Sequence, residues 1–219
     1  MSDIRVVTGT VPVRKTADDG FLSPRAIRDG SLVVLPWYDA LALEGRVFSA
    51  QNGDETTPLS FNALAANRPS AWIRAATSTI VIPLGCTVTL EAATGTVTEI
   101  DLRIADNDIG NGTSTAATVG PLGMKTSLPI AATSVVRHLA TADTTAGTNE
   151  RTIWRATIQF ALATAEGNPF PTFDISREMM GYPVLVGPAT IMVYVTATTT
   201  VPTGFVTWKW AEIPTNSVE

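Results

Sequence analysis

The stretch GFVTWKWAEIP, residues 204–214, decides the fold. Side chains of a β-strand alternate between its two faces. Val206, Trp208 and Trp210 therefore share one face, and Glu212 follows them on that face. Three bulky apolar side chains on one face predict a buried strand, either in the core of a sandwich or against a neighbouring subunit.

The rest of the chain repeats this strand-like pattern and shows almost no helical periodicity. Short runs rich in Val, Ile and Thr alternate with Gly, Pro and Asn, which gives about ten candidate strands. Thr94-Gly95 separates two such runs, at 86–92 and 96–104, and predicts a hairpin turn. We predict an all-β fold: a two-sheet antiparallel sandwich, jelly-roll-like, formed by residues 31–219 as one domain.

Three segments break the strand pattern. Residues 1–30 are poor in apolar side chains and predict an extended N-terminal arm, although a frayed terminus has the same composition. Residues 105–130 and 163–183 predict long loops, and residues 174–180 within the second could form a short helix. Loops this long in a compact domain usually serve a function or an interface. We expect the arm and the 105–130 loop to contact other subunits.

The composition is unusually poor in charge. Of the 219 residues, 45% are hydrophobic and 16% charged, against about 25% charged in an average globular protein. Charge is depleted in the core of protein interfaces, so this composition favours a protein that hides surface in an assembly. The alternative is a monomer with a polar, uncharged coat.

The net charge of −5 excludes an obvious nucleic-acid binder. The chain has three lysines and no run of basic residues, whereas phosphate binding needs a basic patch. We expect no direct contact with nucleic acid. No stretch resembles a secretion leader or a membrane helix, so we expect synthesis in a cytoplasm. The single cysteine, Cys86, lies in an apolar run and is predicted to be a small buried residue.

The sharpest local motif is DNDIGNG, residues 106–112. Alternating oxygen ligands followed by glycine are typical of calcium loops, and Asp106 and Asp108 could supply some of them. The closing Glu of an EF-hand would fall at Ala117, so that motif fails. The same residues are also favoured in ordinary tight turns. Calcium at Asp106 and Asp108 stays an open alternative, and we predict no other metal.

The sequence offers few catalytic groups. His138 is the only histidine, which excludes metal sites built on paired histidines. A Ser-His-Asp arrangement would have to use Ser134 and Asp143, whose spacing is unremarkable, so we predict a structural role for His138. No phosphate-binding loop or dinucleotide fingerprint is present, and we predict no cofactor. Glycoside hydrolysis needs two facing carboxylates, and the available candidates are Glu44, Glu91, Glu99, Asp101 and Glu212. Glu99 and Asp101 are two residues apart on one predicted strand, so we expect them to share a solvated strand face.

Four pieces of the chain carry a resemblance to known proteins. They are GRVFSAQ (45–51), WIR with IVIPL (72–74 and 80–84), DNDIGNGT (106–113) and the closing 204–214 stretch. Together they resemble viral structural proteins of the jelly-roll type, in particular coat or minor capsid proteins of bacteriophages. The resemblance implies a shell-forming or shell-attached role. The chain lacks the basic arm that small RNA-virus coats typically use to hold their genome, which favours a DNA-phage shell, a vertex or decoration protein, or a virion surface protein.

Three functions follow, in this order of preference. The first is a virion structural protein (capsid, minor capsid or decoration protein) that assembles with copies of itself and other virion proteins through loops and edge strands. The second is a carbohydrate- or receptor-binding module such as a spike or fibre head, with Trp37-Tyr38 in a loop as the aromatic platform for a host glycan. The third is a glycosidase of sandwich fold, with Glu91 and Glu99 as the candidate pair. We predict no enzyme.

Overall fold

The computed structural model describes residues 37–61, 68–92, 97–109, 114–127, 130–138, 147–159, 172–197 and 202–215. Its contacts divide the chain into two compact units, Met1–Ala40 and Leu41–Glu219. The helix α1, Trp37–Leu43, contains the only described residues of the first unit. The predicted N-terminal arm, residues 1–30, lies outside the described residues.

The first sheet contains seven of the thirteen strands that the described residues form. Its strands are β1 (Val47–Asn52), β2 (Leu59–Ser60), β4 (Thr79–Ala92), β7 (Val119–Gly123), β10 (Thr172–Ser176), β11 (Leu185–Val186) and β13 (Thr203–Pro214). The order across the sheet is β10-β4-β13-β1-β7. The short β11 pairs with β4 beyond β10, and β2 pairs with the start of β13. Each pairing is antiparallel.

The second sheet contains the other six strands. These are β3 (Ala71–Ala75), β5 (Val97–Ala105), β6 (Thr115–Ala116), β8 (Val135–His138), β9 (Arg151–Gln159) and β12 (Ala189–Ala197). They follow the order β6-β8-β3-β12-β5-β9 and are also antiparallel. The predicted all-β, two-sheet antiparallel sandwich is therefore confirmed.

The burial pattern of β13 confirms the prediction from its sequence. Val206, Trp208 and Trp210 are fully buried in the core between the sheets, and Lys209 is exposed. The Trp210 ring stacks on Phe48 of β1 at a centroid distance of 5.9 Å. β13 lies between β4 and β1, and all three strands bury their inner faces in the same core.

Gly204 begins this buried stretch for a steric reason. A Cβ atom at this position would overlap the carbonyl oxygen of Thr89 in β4. The register of β13 against β4 also shifts here, between Thr203 and Gly204. The two backbones can approach this closely only because residue 204 has no side chain.

The hairpin predicted at Thr94-Gly95 is wrong. The strand before it, β4, belongs to the first sheet, and the strand after it, β5, belongs to the second. Both strands bury one face in the core, from opposite sides, for example Val88 in β4 and Ile100 in β5. The residues Thr94-Gly95 are typical of a hairpin turn. However, β4 and β5 can bury their apolar faces equally well when the chain crosses from one sheet to the other.

The helix considered at residues 174–180 is also wrong. Residues 172–176 form β10, in which Ile175 is fully buried and pairs with Cys86. A turn follows at 177–181. The segment pairs with β4 as an edge strand. Pairing with a strand distant in sequence outweighs a weak local preference for helix.

Candidate functional site

Glu212 is the most completely hydrogen-bonded carboxylate in the described part of the chain. Its side chain is buried at the inner face of β13 and reaches the segment that leads into β8 of the second sheet. It accepts hydrogen bonds from the backbone N–H groups of Thr133 (2.8 Å) and Ser134 (3.1 Å), from both of their hydroxyls, and from Trp210 Nε1 (2.9 Å). The Thr133 hydroxyl also lies 2.8 Å from that of Thr79.

These contacts fix the charge state of Glu212. Burial alone would raise its pKa, but the hydrogen bonds from Ser134, Trp210 and Thr133 outweigh burial and hold the pKa below the usual value. The group is therefore an ionised acceptor at neutral pH and cannot act as a general acid there. Its role is to connect the two sheets.

A cleft of about 210 Å³ opens beside this carboxylate. Most of its wall is apolar, and its polar groups are hydroxyls, one guanidinium and the Glu212 carboxylate. It is lined by Arg46, Phe48, Ser78, Thr79, Ile130, Ala131, Thr133, Glu212, Ile213 and Pro214. The Arg46 guanidinium is bound to Glu44 through Nε at 3.0 Å.

The other carboxylates considered for glycoside hydrolysis do not form a facing pair around this cleft. Glu91 belongs to β4 of the first sheet and Glu99 to β5 of the second. Glu44 is paired with Arg46. Asp101 lies on the outer face of the second sheet, where it was predicted to share a solvated face with Glu99.

That prediction was wrong for Asp101, whose carboxylate is 7% exposed. It accepts hydrogen bonds from Arg155 (Nε at 2.5 Å, Nη2 at 2.7 Å) and from Arg103 (Nη2 at 2.8 Å). Arg103 also bonds Glu150 at 2.8 Å and lies 4.5 Å from the centroid of the Tyr194 ring. Burial would raise the pKa of Asp101, but the bonds from Arg155 and Arg103 lower it overall.

Sequence reasoning missed this network, although a signal was present. Asp101 and Arg103 are two residues apart on β5, so opposite charges share one face of a strand. Arg155 is the direct cross-strand partner of Asp101 in β9, and Tyr194 is its partner in β12. Only the register between strands, which the sequence does not state, brings these groups together.

His138 and Ser134, which were considered together for a Ser-His-Asp triad, form hydrogen bonds with different residues. His138 is buried at the end of β8 with Nδ1 3.3 Å from Oδ1 of Asn52, and the Asn52 amide nitrogen has no hydrogen-bond partner among the described residues. Burial lowers the pKa of His138. The Ser134 hydroxyl donates to Glu212 instead. Asp143, the third member considered for a triad, lies outside the described residues.

The DNDIGNG motif is engaged by basic side chains. Asp106 Oδ1 lies 2.9 Å from Arg151, and Asp108 Oδ2 lies 3.0 Å from Arg74. The hydrogen bond from Arg151 is the main cause that lowers the pKa of Asp106. The described residues contain no group of three or more His, Cys, Asp or Glu side chains that could hold a metal. Residues 110–113 of the motif lie outside the described part.

The Trp37-Tyr38 pair lies on the helix α1 and not on a loop, which corrects the local prediction. Both rings are exposed, at 42% and 48%. Their centroids are 6.1 Å apart with an interplanar angle of 87°. An edge-to-face pair leaves ring surface open to solvent, as a sugar-stacking platform requires.

Seven of the ten large apolar side chains that are exposed in the described part of the second unit lie along the two edges of the first sheet, and the other three are Leu43, Val97 and Ile130. We call the first group the β7 edge: Val119, Leu122 and Met124, which are 41–61% exposed. The second group is the β11 edge: Met179, Tyr182, Val184 and Val186, which are 51–57% exposed. Large apolar groups clustered at sheet edges indicate contact surfaces.

Comparison of the chain with protein-family models and with curated proteins finds no match. Among the described residues, no helix is long and apolar enough to cross a membrane.

Proposed function

We propose that this chain is a virion structural protein, a capsid, minor capsid or decoration protein, whose mechanism is assembly with copies of itself and other virion proteins. The observation that supports this best is the exposure of apolar side chains on both edges of the first sheet, the β7 edge and the β11 edge. Exposed edges are a pairing hazard for a monomer. In an assembly they are contact surfaces.

The low charge content agrees with this role. Only 16% of residues are charged, and charge is depleted where subunits bury surface against each other. The described residues of the stretches that resemble phage coat and minor capsid proteins lie in the sandwich and its loops. On this proposal the protein is synthesised in the cytoplasm of a host and resides in the virion.

The test is the solution mass of the purified protein, measured by light scattering after size exclusion over a range of concentrations. We expect a discrete oligomer. Leu122→Glu at the β7 edge should shift the mass toward 23.1 kDa, the mass of one chain. Val97→Glu is the matched control, because Val97 is also exposed (37%) but lies on the second sheet. A wild-type monomer at every concentration would contradict the proposal.

A carbohydrate- or receptor-binding module is the second candidate. The exposed Trp37-Tyr38 pair favours it, because sugar rings stack on aromatic faces. Glycan-array binding that Trp37→Ala abolishes, with unchanged thermal stability, would support this function. Binding that is equal in wild type and Trp37→Ala would remove the pair as the platform.

A further inference from the structure

The two apolar edges belong to the same sheet and lie at opposite ends of its strand order. β7 flanks β1 at one end, while β10 and β11 flank β4 at the other. Among the described strands, each of these three pairs on one side only. Within the described part of the chain, the outer side of each strand therefore has no strand partner, and a strand of another chain can pair with such a side.

The side chains along the two edges match in kind. Leu122 is 61% exposed at the β7 edge, and Val186 is 57% exposed at the β11 edge. Both are aliphatic, and both belong to strands that pair with a described strand on one side only. Contact between unlike edges would bury apolar surface from each partner and would extend one sheet from copy to copy.

The charges of the two edges differ in sign. Residues 114–127, which include β7, carry one charged side chain, Lys125. Residues 172–186, which include β10 and β11, carry Asp174, Arg177 and Glu178, a net charge of −1. A contact between two β7 edges would bring like charges together, whereas a contact between a β7 edge and a β11 edge pairs opposite charges.

We propose that copies of this chain join head to tail, with the β7 edge of one copy against the β11 edge of the next. This inference rests on the proposed function, since it names the partner surface used in assembly. A contact between unlike surfaces leaves one edge of each type unpaired at the ends of any open chain. When the same contact is repeated from copy to copy, the copies form a closed ring if the rotation between them allows it, and a filament otherwise.

Single-cysteine mixing distinguishes this arrangement from a two-fold one. Leu122→Cys and Val186→Cys are prepared separately, and both positions are exposed enough to accept the change. Cys86 is kept, because it is buried, and wild type serves as the control for cross-linking through Cys86. Each variant alone and an equal mixture are treated with a short bismaleimide cross-linker, and the products are separated by denaturing electrophoresis.

We expect a cross-linked dimer in the mixture and none in either variant alone. A mixture of Leu122→Cys with Val97→Cys, on the second sheet, is the negative control. A dimer from Leu122→Cys alone would overturn the head-to-tail arrangement and leave assembly intact. An oligomer that gives no cross-link in any sample would also overturn it. A monomer by light scattering would overturn both this inference and the proposed function.

A charge swap tests the same contact independently. Lys125→Glu should weaken association about two- to fivefold, the usual effect of an exposed charge pair. Adding Glu178→Lys should restore part of the affinity, provided the two edges meet. Equal association of both variants and wild type, measured at low salt, would contradict the charge complementarity.

Discussion

Replacing Glu212 by glutamine tests the buried contact between the two sheets. The change removes the charge but keeps the shape of the side chain. If the amide oxygen takes the place of Oε1, it still accepts from Ser134 and Trp210. The amide nitrogen then faces the backbone N–H of Thr133, which loses its acceptor.

The magnitude follows from these contacts. A buried donor without an acceptor costs about 1–3 kcal/mol, and the remaining hydrogen bonds weaken because the acceptor is neutral. We expect Glu212→Gln to lower the free energy of unfolding by about 2 kcal/mol, equivalent to about 4–8 °C in melting temperature. Glu212→Leu removes the shared acceptor of all five donors and should cost about 4 kcal/mol or more.

The pH dependence has a definite sign. The pKa of Glu212 in the folded protein lies below its usual value of 4.5, so the unfolded chain takes up the proton first as the pH falls. The stabilisation is therefore complete above pH 4.5 and is lost as the pH falls through the folded pKa. The difference between wild type and Glu212→Gln should shrink over the same interval.

The assay is equilibrium denaturation followed by tryptophan fluorescence, at a fixed protein concentration because association also contributes to stability. Glu99→Gln is the matched control, since Glu99 is exposed and a surface change of this kind is expected to alter stability by less than about 0.5 kcal/mol. A Glu212→Gln variant as stable as wild type at pH 7, or a difference that does not change with pH, would refute the reasoning.

Four further outcomes follow from the described contacts. Asp101→Asn should lower the free energy of unfolding by about 2 kcal/mol, measured by urea denaturation. An unchanged free energy of unfolding would mean that the negative charge of Asp101 adds no stability to its contacts with Arg103 and Arg155. His138 is the only histidine, and burial lowers its pKa below 6.5, so the unfolded chain is protonated first and the melting temperature should fall as the pH drops below 6.5. His138→Gln should reduce this pH dependence of the melting temperature, and an unchanged pH dependence would show that His138 is not its source. Cys86 should not react with a thiol reagent until the protein unfolds, because it is buried, and rapid labelling of the native protein would show that the core opens. Calcium and a chelator should leave the melting temperature unchanged, since Asp106 and Asp108 are each paired with an arginine, and a calcium-dependent increase would restore the metal hypothesis.

The sequence was sufficient for features that depend on alternation along one strand. The period-two pattern of residues 204–214 predicted both the burial of Trp208 and Trp210 and the inward position of Glu212, and the structure confirms them. It could not give the sheet to which each strand belongs. β4 and β5 each present an apolar face, and that pattern is the same whether they pair in a hairpin or face each other across a core.

Features that depend on register between distant strands were out of reach. The carboxylate of Asp101 is buried only because Arg155 and Tyr194 stand opposite it on neighbouring strands. Glu212 finds four of its five donors in a segment far from it in sequence. The β7 and β11 edges were likewise invisible as a pair, because only the strand order places them at opposite ends of one sheet.

The central position of β13 also sets the order of events during synthesis. Its two neighbours, β4 and β1, are translated far earlier, and neither has its shared partner until residues 203–214 have left the ribosome. Folding that depends on such non-local pairing is slow, and the nascent chain exposes apolar strands in the meantime. Production of this protein should therefore depend on chaperones and on low growth temperature, and removal of residues 203–214 should give aggregates instead of a smaller soluble domain.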